Sequence, residues 1–141
     1  MKPRLFLLFF VFVFTSCHPN MIKMVDGYYT NGNPKRINYY ISIDRSELLK
    51  KELYYENGQI KLSGNYKENL KHGQWRYYFE NGIISDETWF IEGLLEGRSS
   101  SFYKNGVLRS SGYYQKGRRV RMWTYFDENG QLVKKINFSR E

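Results

Sequence analysis

The chain is poor in the residues that make covalent or metal-held frameworks. Among 141 residues there is one cysteine (Cys17), two histidines (His18 and His72) and three prolines. A single thiol cannot form an internal disulfide, and one Cys with two His falls short of a four-ligand Cys/His zinc set. No apolar run is long enough to cross a bilayer. The longest, Leu5 to Phe14, has ten residues, or about 15 Å of helix against a hydrocarbon core of about 30 Å. Walker and dinucleotide-binding glycine motifs are absent. His72 stands beside Gly73 with no nucleophile motif near it, so a solvated turn residue is expected rather than a general base. The chain is therefore expected to be non-enzymatic, without cofactor or metal. Aromatics are plentiful at 18%, with 41% hydrophobic residues overall. That composition excludes disorder, and the length suits a single domain.

The first sixteen residues have the zones of an export signal. Lys2 and Arg4 precede the apolar run, and Thr15-Ser16 close it. Cys17 directly after this small pair resembles the lipobox of bacterial lipoproteins, with Phe14 where an aliphatic residue is usual. The alternative is an ordinary Cys near a conventional cleavage site. The lipobox resemblance implies a palmitate-type acyl group on Cys17, a tether over 17–26, and an envelope location, at the outer membrane in a Gram-negative cell. Loss of residues 1–16 would lower the net charge from +8 to +6. This excess suits anionic lipid, acidic glycans or an acidic protein partner, or simply solubility. Nucleic acid is not expected, because no recognisable module for it appears.

From residue 27 onward the sequence is repetitive. Asn57-Gly58, Asn81-Gly82, Asn105-Gly106 and Asn129-Gly130 recur every 24 residues, and Asn31-Gly32 lies 26 residues before the first of them. Tyr54, Tyr78, Phe102 and Phe126 keep the same period, as do Ile60, Ile84, Leu108 and Leu132. So do Tyr66, Phe90, Tyr114 and Phe138. A constant period of this length signals stacked supersecondary units. Aromatic-rich segments ending in Asn-Gly read as β-hairpins. The expected fold is all-β, an elongated antiparallel meander of stacked hairpins over 27–141. Its clear units are 52–75, 76–99, 100–123 and 124–141, and 27–51 is a divergent unit. A two-residue Asn-Gly loop would pair Tyr55 with Ile60, Phe79 with Ile84, Tyr103 with Leu108 and Asp127 with Leu132. A three-residue loop with a Gly bulge would shift each pair by one. The second connection, Lys67 to Gly73, reads as a longer polar loop turning at Gly73 and Gly97, with Arg121 in place of the third glycine. The segment Arg45–Lys51 fits either a helical turn or a charged strand.

These columns, with Trp75 and Trp123 two residues after the second glycine position, resemble the variant class of MORN repeats found in YwqK-family antitoxins and in many bacterial lipoproteins. The resemblance implies a stacked-hairpin meander and an association with membranes or with a toxin partner. It places no role on particular residues.

Two functions follow as expectations. One is a membrane-anchored module that binds a protein partner, of which a toxin is the class the resemblance implies. The other is an envelope-binding protein for polysaccharide or anionic lipid. The candidate surface is Trp75, Tyr77, Trp123 and Tyr125 with the Arg118, Arg119 and Arg121 loop, although the aromatic columns can equally be the core of a sheet with little interior. Glu56, Glu80 and Glu128, each before an Asn-Gly, read as exposed turn residues rather than a cation ladder. Exposed terminal strands would allow pairing between copies.

Overall fold

The computed structural model describes residues 21–138. The expected export segment, Cys17 and the first residues of the tether lie outside the described residues. Eleven strands form one antiparallel sheet: β1 (Ile22–Val25), β2 (Arg36–Tyr40), β3 (Leu48–Tyr54), β4 (Ile60–Lys67), β5 (Leu70–Tyr78), β6 (Ile84–Ile91), β7 (Leu94–Leu95), β8 (Gly97–Phe102), β9 (Leu108–Gln115), β10 (Arg118–Phe126) and β11 (Leu132–Phe138). Strands neighbouring in sequence are neighbours in the sheet, and β7 is a short piece on β6 leading into β8. Among the described residues there is no helix. This is the expected meander, with two refinements: Leu48–Lys51 is strand, and the sheet already begins at Ile22, inside the segment read as tether.

The Asn-Gly turns are three-residue loops. Tyr55 N–H donates to the Gln59 carbonyl at 2.8 Å, Gly58 N–H donates to the Tyr55 carbonyl at 3.0 Å, and Gly58 alone is left-handed, at φ 85°. This is a type I turn closed by a Gly bulge. The register is therefore Tyr54 with Ile60, Tyr78 with Ile84, Phe102 with Leu108 and Phe126 with Leu132. The pairing by Tyr55, Phe79, Tyr103 and Asp127 is corrected by one residue, because Asn57 keeps a right-handed backbone and cannot be one of two left-handed residues.

The tight two-residue turns are in the other connection. Glu68 and Asn69, Glu92 and Gly93, and Lys116 and Gly117 all have positive φ, the pattern of a type I′ turn, whose twist matches that of the strands. The long loop expected over Lys67–Gly73 is thus strand and tight turn. Gly73 (φ 70°), Gly97 (φ 84°) and Arg121 (φ 60°) share a third left-handed position, where the register slips ahead of Trp75 and Trp123. Arg121 holds the glycine's conformation against its own side chain.

Side chains on a single sheet must cover one another. Trp75 is 1% exposed and Trp123 3%. Trp75 packs edge-on against Tyr66 (5.3 Å) and Phe90 (5.7 Å), and Trp123 against Tyr114 (5.1 Å) and Phe138 (6.5 Å). Each indole N–H donates to a backbone carbonyl, Trp75 to Asn65 at 3.0 Å and Trp123 to Tyr113 at 3.2 Å.

Candidate functional site

The turn edge is bonded from unit to unit. In the turns of Asn31, Asn57, Asn81 and Asn105 the Asn Oδ1 accepts from the N–H two residues on, as Asn57 does from Gln59 at 3.0 Å; in the last turn Asp127 Oδ1 accepts from the N–H groups of Asn129 and Gln131 instead. The Asn Nδ2 reaches the next turn: Asn31 to the Glu56 carbonyl (2.7 Å), Asn57 to Glu80 (3.0 Å), Asn81 to Lys104 (3.1 Å) and Asn105 to Glu128 (3.0 Å). Tyrosine hydroxyls run beside it, from Tyr29 to the Tyr54 carbonyl, Tyr55 to Tyr78 and Tyr103 to Phe126. The Asn-Gly edge is structural, and Asn31 ties the divergent first unit to the rest.

The face carrying the tryptophans is aromatic beneath and cationic above. Lys71 Nζ lies 4.2 Å from the Trp75 ring and 4.8 Å from Phe90, Lys51 Nζ 5.6 Å from Tyr66, and Lys134 Nζ 5.0 Å from Tyr125. The Arg119 guanidinium lies 4.5 Å from Trp123, with Nε 3.4 Å from the Tyr114 hydroxyl. Such contacts hold a cation without neutralising it. Lys71 has its pKa lowered, first by burial and then by the charge of Lys51. Arg119 is shifted the other way by its Tyr114 hydrogen bond, which outweighs partial desolvation. Among the described residues, neither Lys51 nor Lys71 has a carboxylate within ion-pair distance.

The candidate surface drawn from the sequence does not form one patch. Trp75 and Trp123 are buried and cannot present a platform, since each indole fills the space beside a glycine. Tyr77 and Tyr125 are half-buried next to them, and Tyr77 has its pKa raised by burial, then by Asp86 and Tyr66. Arg118, Arg119 and Arg121 are exposed but divided: Arg119 covers Trp123, while the Arg121 guanidinium lies 5.0 Å from the Tyr113 ring on the opposite face. Strict alternation would put positions 119, 121 and 123 on one face, and the bulge between Val120 and Thr124 breaks it.

Sequence reasoning missed Trp89, the indole that is open, at 45% exposure. It lines a recess of about 410 Å³ on the opposite face with Glu87, Arg98, Ser100, Phe102 and Leu108. Exposed Leu70, Ile91 and Leu94 stand at the adjoining tight turns. Its position one residue before Phe90 was the available signal, because alternation sends it away from the tryptophan face. Also missed was Glu52, 6% exposed, which accepts hydrogen bonds from the Tyr39 and Tyr54 hydroxyls (both 2.7 Å) and pairs with Lys50 at 2.7 Å. Burial raises its pKa, but Lys50 and the two phenols outweigh this and leave it lowered. With its oxygens engaged by three donors, Glu52 holds β2 and β3 together. Among the described residues no three His, Cys, Asp or Glu side chains converge as a metal site.

The family model described as the MORN repeat variant matches residues 50–68, 71–88, 95–116 and 122–139. Each match holds one Asn-Gly hairpin, and together they cover more than half the chain. The chain belongs to the MORN repeat variant family. MORN repeats are generally non-catalytic modules of protein and membrane interaction. No curated protein matches this MORN repeat chain significantly. Among solved structures, a crystal structure of an S. aureus TarM mutant in complex with fondaparinux, alpha-GlcNAc-glycerol and UDP aligns with 9% identity and a TM-score of 0.36. The alignment covers 72% of this chain and 21% of that one, so the MORN repeat chain spans about a fifth of its length.

Proposed function

We propose that the protein is a lipid-anchored, non-enzymatic scaffold in the bacterial envelope that docks a protein partner. The observation that supports this most is the open indole of Trp89 among Leu70, Ile91 and Leu94, on the face whose counterpart already buries its tryptophans. Aromatic anchors surrounded by aliphatic side chains are where binding energy concentrates in protein interfaces. A toxin is the partner class that the antitoxin resemblance implies. The test is co-purification from envelope extract with Trp89→Ala and Leu94→Ser against the parent chain. A partner retained by the parent and lost by both variants supports the reading, and equal recovery overturns it. The anchor is tested separately by palmitate labelling, expected in the parent chain and lost in Cys17→Ser.

A second reading, binding of anionic lipid or polysaccharide in the envelope, is favoured by the uncompensated cations of the tryptophan face, Lys51, Lys71 and Lys134. Salt-sensitive capture on anionic vesicles tests it.

A further inference from the structure

At the N-terminal end of the sheet lies a recess of about 400 Å³, whose lining includes Arg36, Asn38, Tyr40, Arg45 and Lys51. Pockets of a few hundred cubic ångströms are of the size that holds small ligands. Its polar groups are incompletely matched by the protein. The Asn38 Oδ1 is buried and accepts no hydrogen bond, an arrangement that native structures seldom leave without a partner. Lys51 stands directly across from Asn38 in the β2–β3 register and has no ion-pair partner among the described residues. Arg45 has none either, and its loop is fixed by a left-handed backbone (φ 59°) and an N–H bond to the Ser42 carbonyl at 3.2 Å. The one carboxylate in the lining, Asp26, is bound to Arg36 at 2.9 Å.

The two unmet needs are of opposite kinds. Arg45 and Lys51 call for an anion, and Asn38 Oδ1 calls for a donor, which a carboxylate or the dianionic phosphate of an ester does not supply. A group carrying both a phosphate and a hydroxyl answers both. We infer that this recess binds a phosphate ester of a small polyol, with the phosphate between Arg45 and Lys51 and a ligand hydroxyl donating to Asn38 Oδ1. Glycerol phosphate is a small unit of this kind, free or carried on a lipid. The inference rests on the second reading above and narrows it to named residues.

Calorimetry with the full chain at about pH 8 tests it, using glycerol phosphate, methyl phosphate, a dianionic ester with no hydroxyl, and glycerol as probes. Glycerol phosphate should bind more tightly than either of the others. Arg45→Met and Lys51→Met should each weaken it about tenfold or more, the size expected for a lost charged hydrogen bond. Lys104→Met, which removes the same charge at a remote turn, should leave it unchanged. Asn38→Val should bring glycerol phosphate down to the affinity of methyl phosphate without altering the latter. Thermal midpoints show whether each variant is folded, with Lys51→Gln as the substitute if Lys51→Met is not.

Equal binding of glycerol phosphate and methyl phosphate, or indifference to Lys51→Met and Asn38→Val, overturns the inference. Vesicles containing phosphatidylglycerol separate the sources. Capture lost in Lys51→Met assigns the site to a lipid headgroup. Capture kept by Arg45→Met, Lys51→Met and Asn38→Val leaves the second reading standing and removes this site. Binding of soluble glycerol phosphate through these residues, with no vesicle capture, supports the site and removes the lipid source.

Discussion

The indole of Trp75 occupies the place where a side chain at Gly64 would stand: a Cβ built there would lie 2.1 Å from the ring. Trp123 and Gly112 repeat the relationship at the same distance. In the unit between them, the position of the glycine is Thr88 and that of the tryptophan is Ser99. The two positions change together, because a Cβ and an indole cannot share the space.

Gly64→Ala should therefore destabilise the protein by about 1–3 kcal/mol through overpacking, and Trp75→Ser by about 3–5 kcal/mol through the lost ring. Gly64→Thr combined with Trp75→Ser, which copies the middle unit, should cost clearly less than the sum of the single changes. Urea unfolding of the four proteins measures that coupling. Additive losses would contradict the steric account.

At the third left-handed position the substitution runs toward glycine. Arg121→Gly should raise stability by up to about 1 kcal/mol, since a non-glycine residue gives up about 1–2 kcal/mol in that conformation and the exposed contact with Tyr113 returns part of it. Gly73→Ala should lower stability by a similar amount. Thermal unfolding midpoints should move in opposite directions.

The turn-edge ladder makes its own control. Asn81→Ala and Asn105→Ala each remove a bond within the turn and one to the next turn, and should cost about 1–2 kcal/mol. Asn129→Ala should cost less, because no described turn follows Asn129.

The network around Glu52 fixes a pH window. Its folded pKa lies below its unfolded value of about 4.3, so its contribution is present above that value and is lost as pH falls through the folded pKa. Tyr39 is shifted upward to about 12 by burial and by Glu52. Its contribution is complete below about pH 10 and disappears as pH rises toward 12. Unfolding midpoints should hold level between these limbs and fall outside them. Glu52→Ala should cost about 3 kcal/mol near neutral pH, leaving Lys50 and two phenols without their acceptor.

The repeat was legible because a 24-residue period survives in the turn residues and in the large side chains flanking them. Strand, order and direction follow from it. Register was not legible, because Asn-Gly serves both a two-residue turn with two left-handed residues and a three-residue loop with one; the choice lay in bonds made by Tyr55 and Asn57 to the following unit. Nor did the sequence distinguish buried from open indoles. Trp75 and Trp123 are covered because glycine lies opposite them, whereas Trp89 is turned outward by alternation alone. Arg118, Arg119 and Arg121 read as one cluster in a row of letters, but the bulge at Arg121 sends its side chain to the other face. The recess at Asn38 depends on a loop, 41–47, that carries no repeat signal.

Because each hairpin is bonded only to those beside it, force applied between the two ends would load the outermost strand alone. The sheet should then unzip one hairpin after another, each release adding about 80 Å of extended chain for its 24 residues, so that extension, rather than a single rupture, would absorb the load.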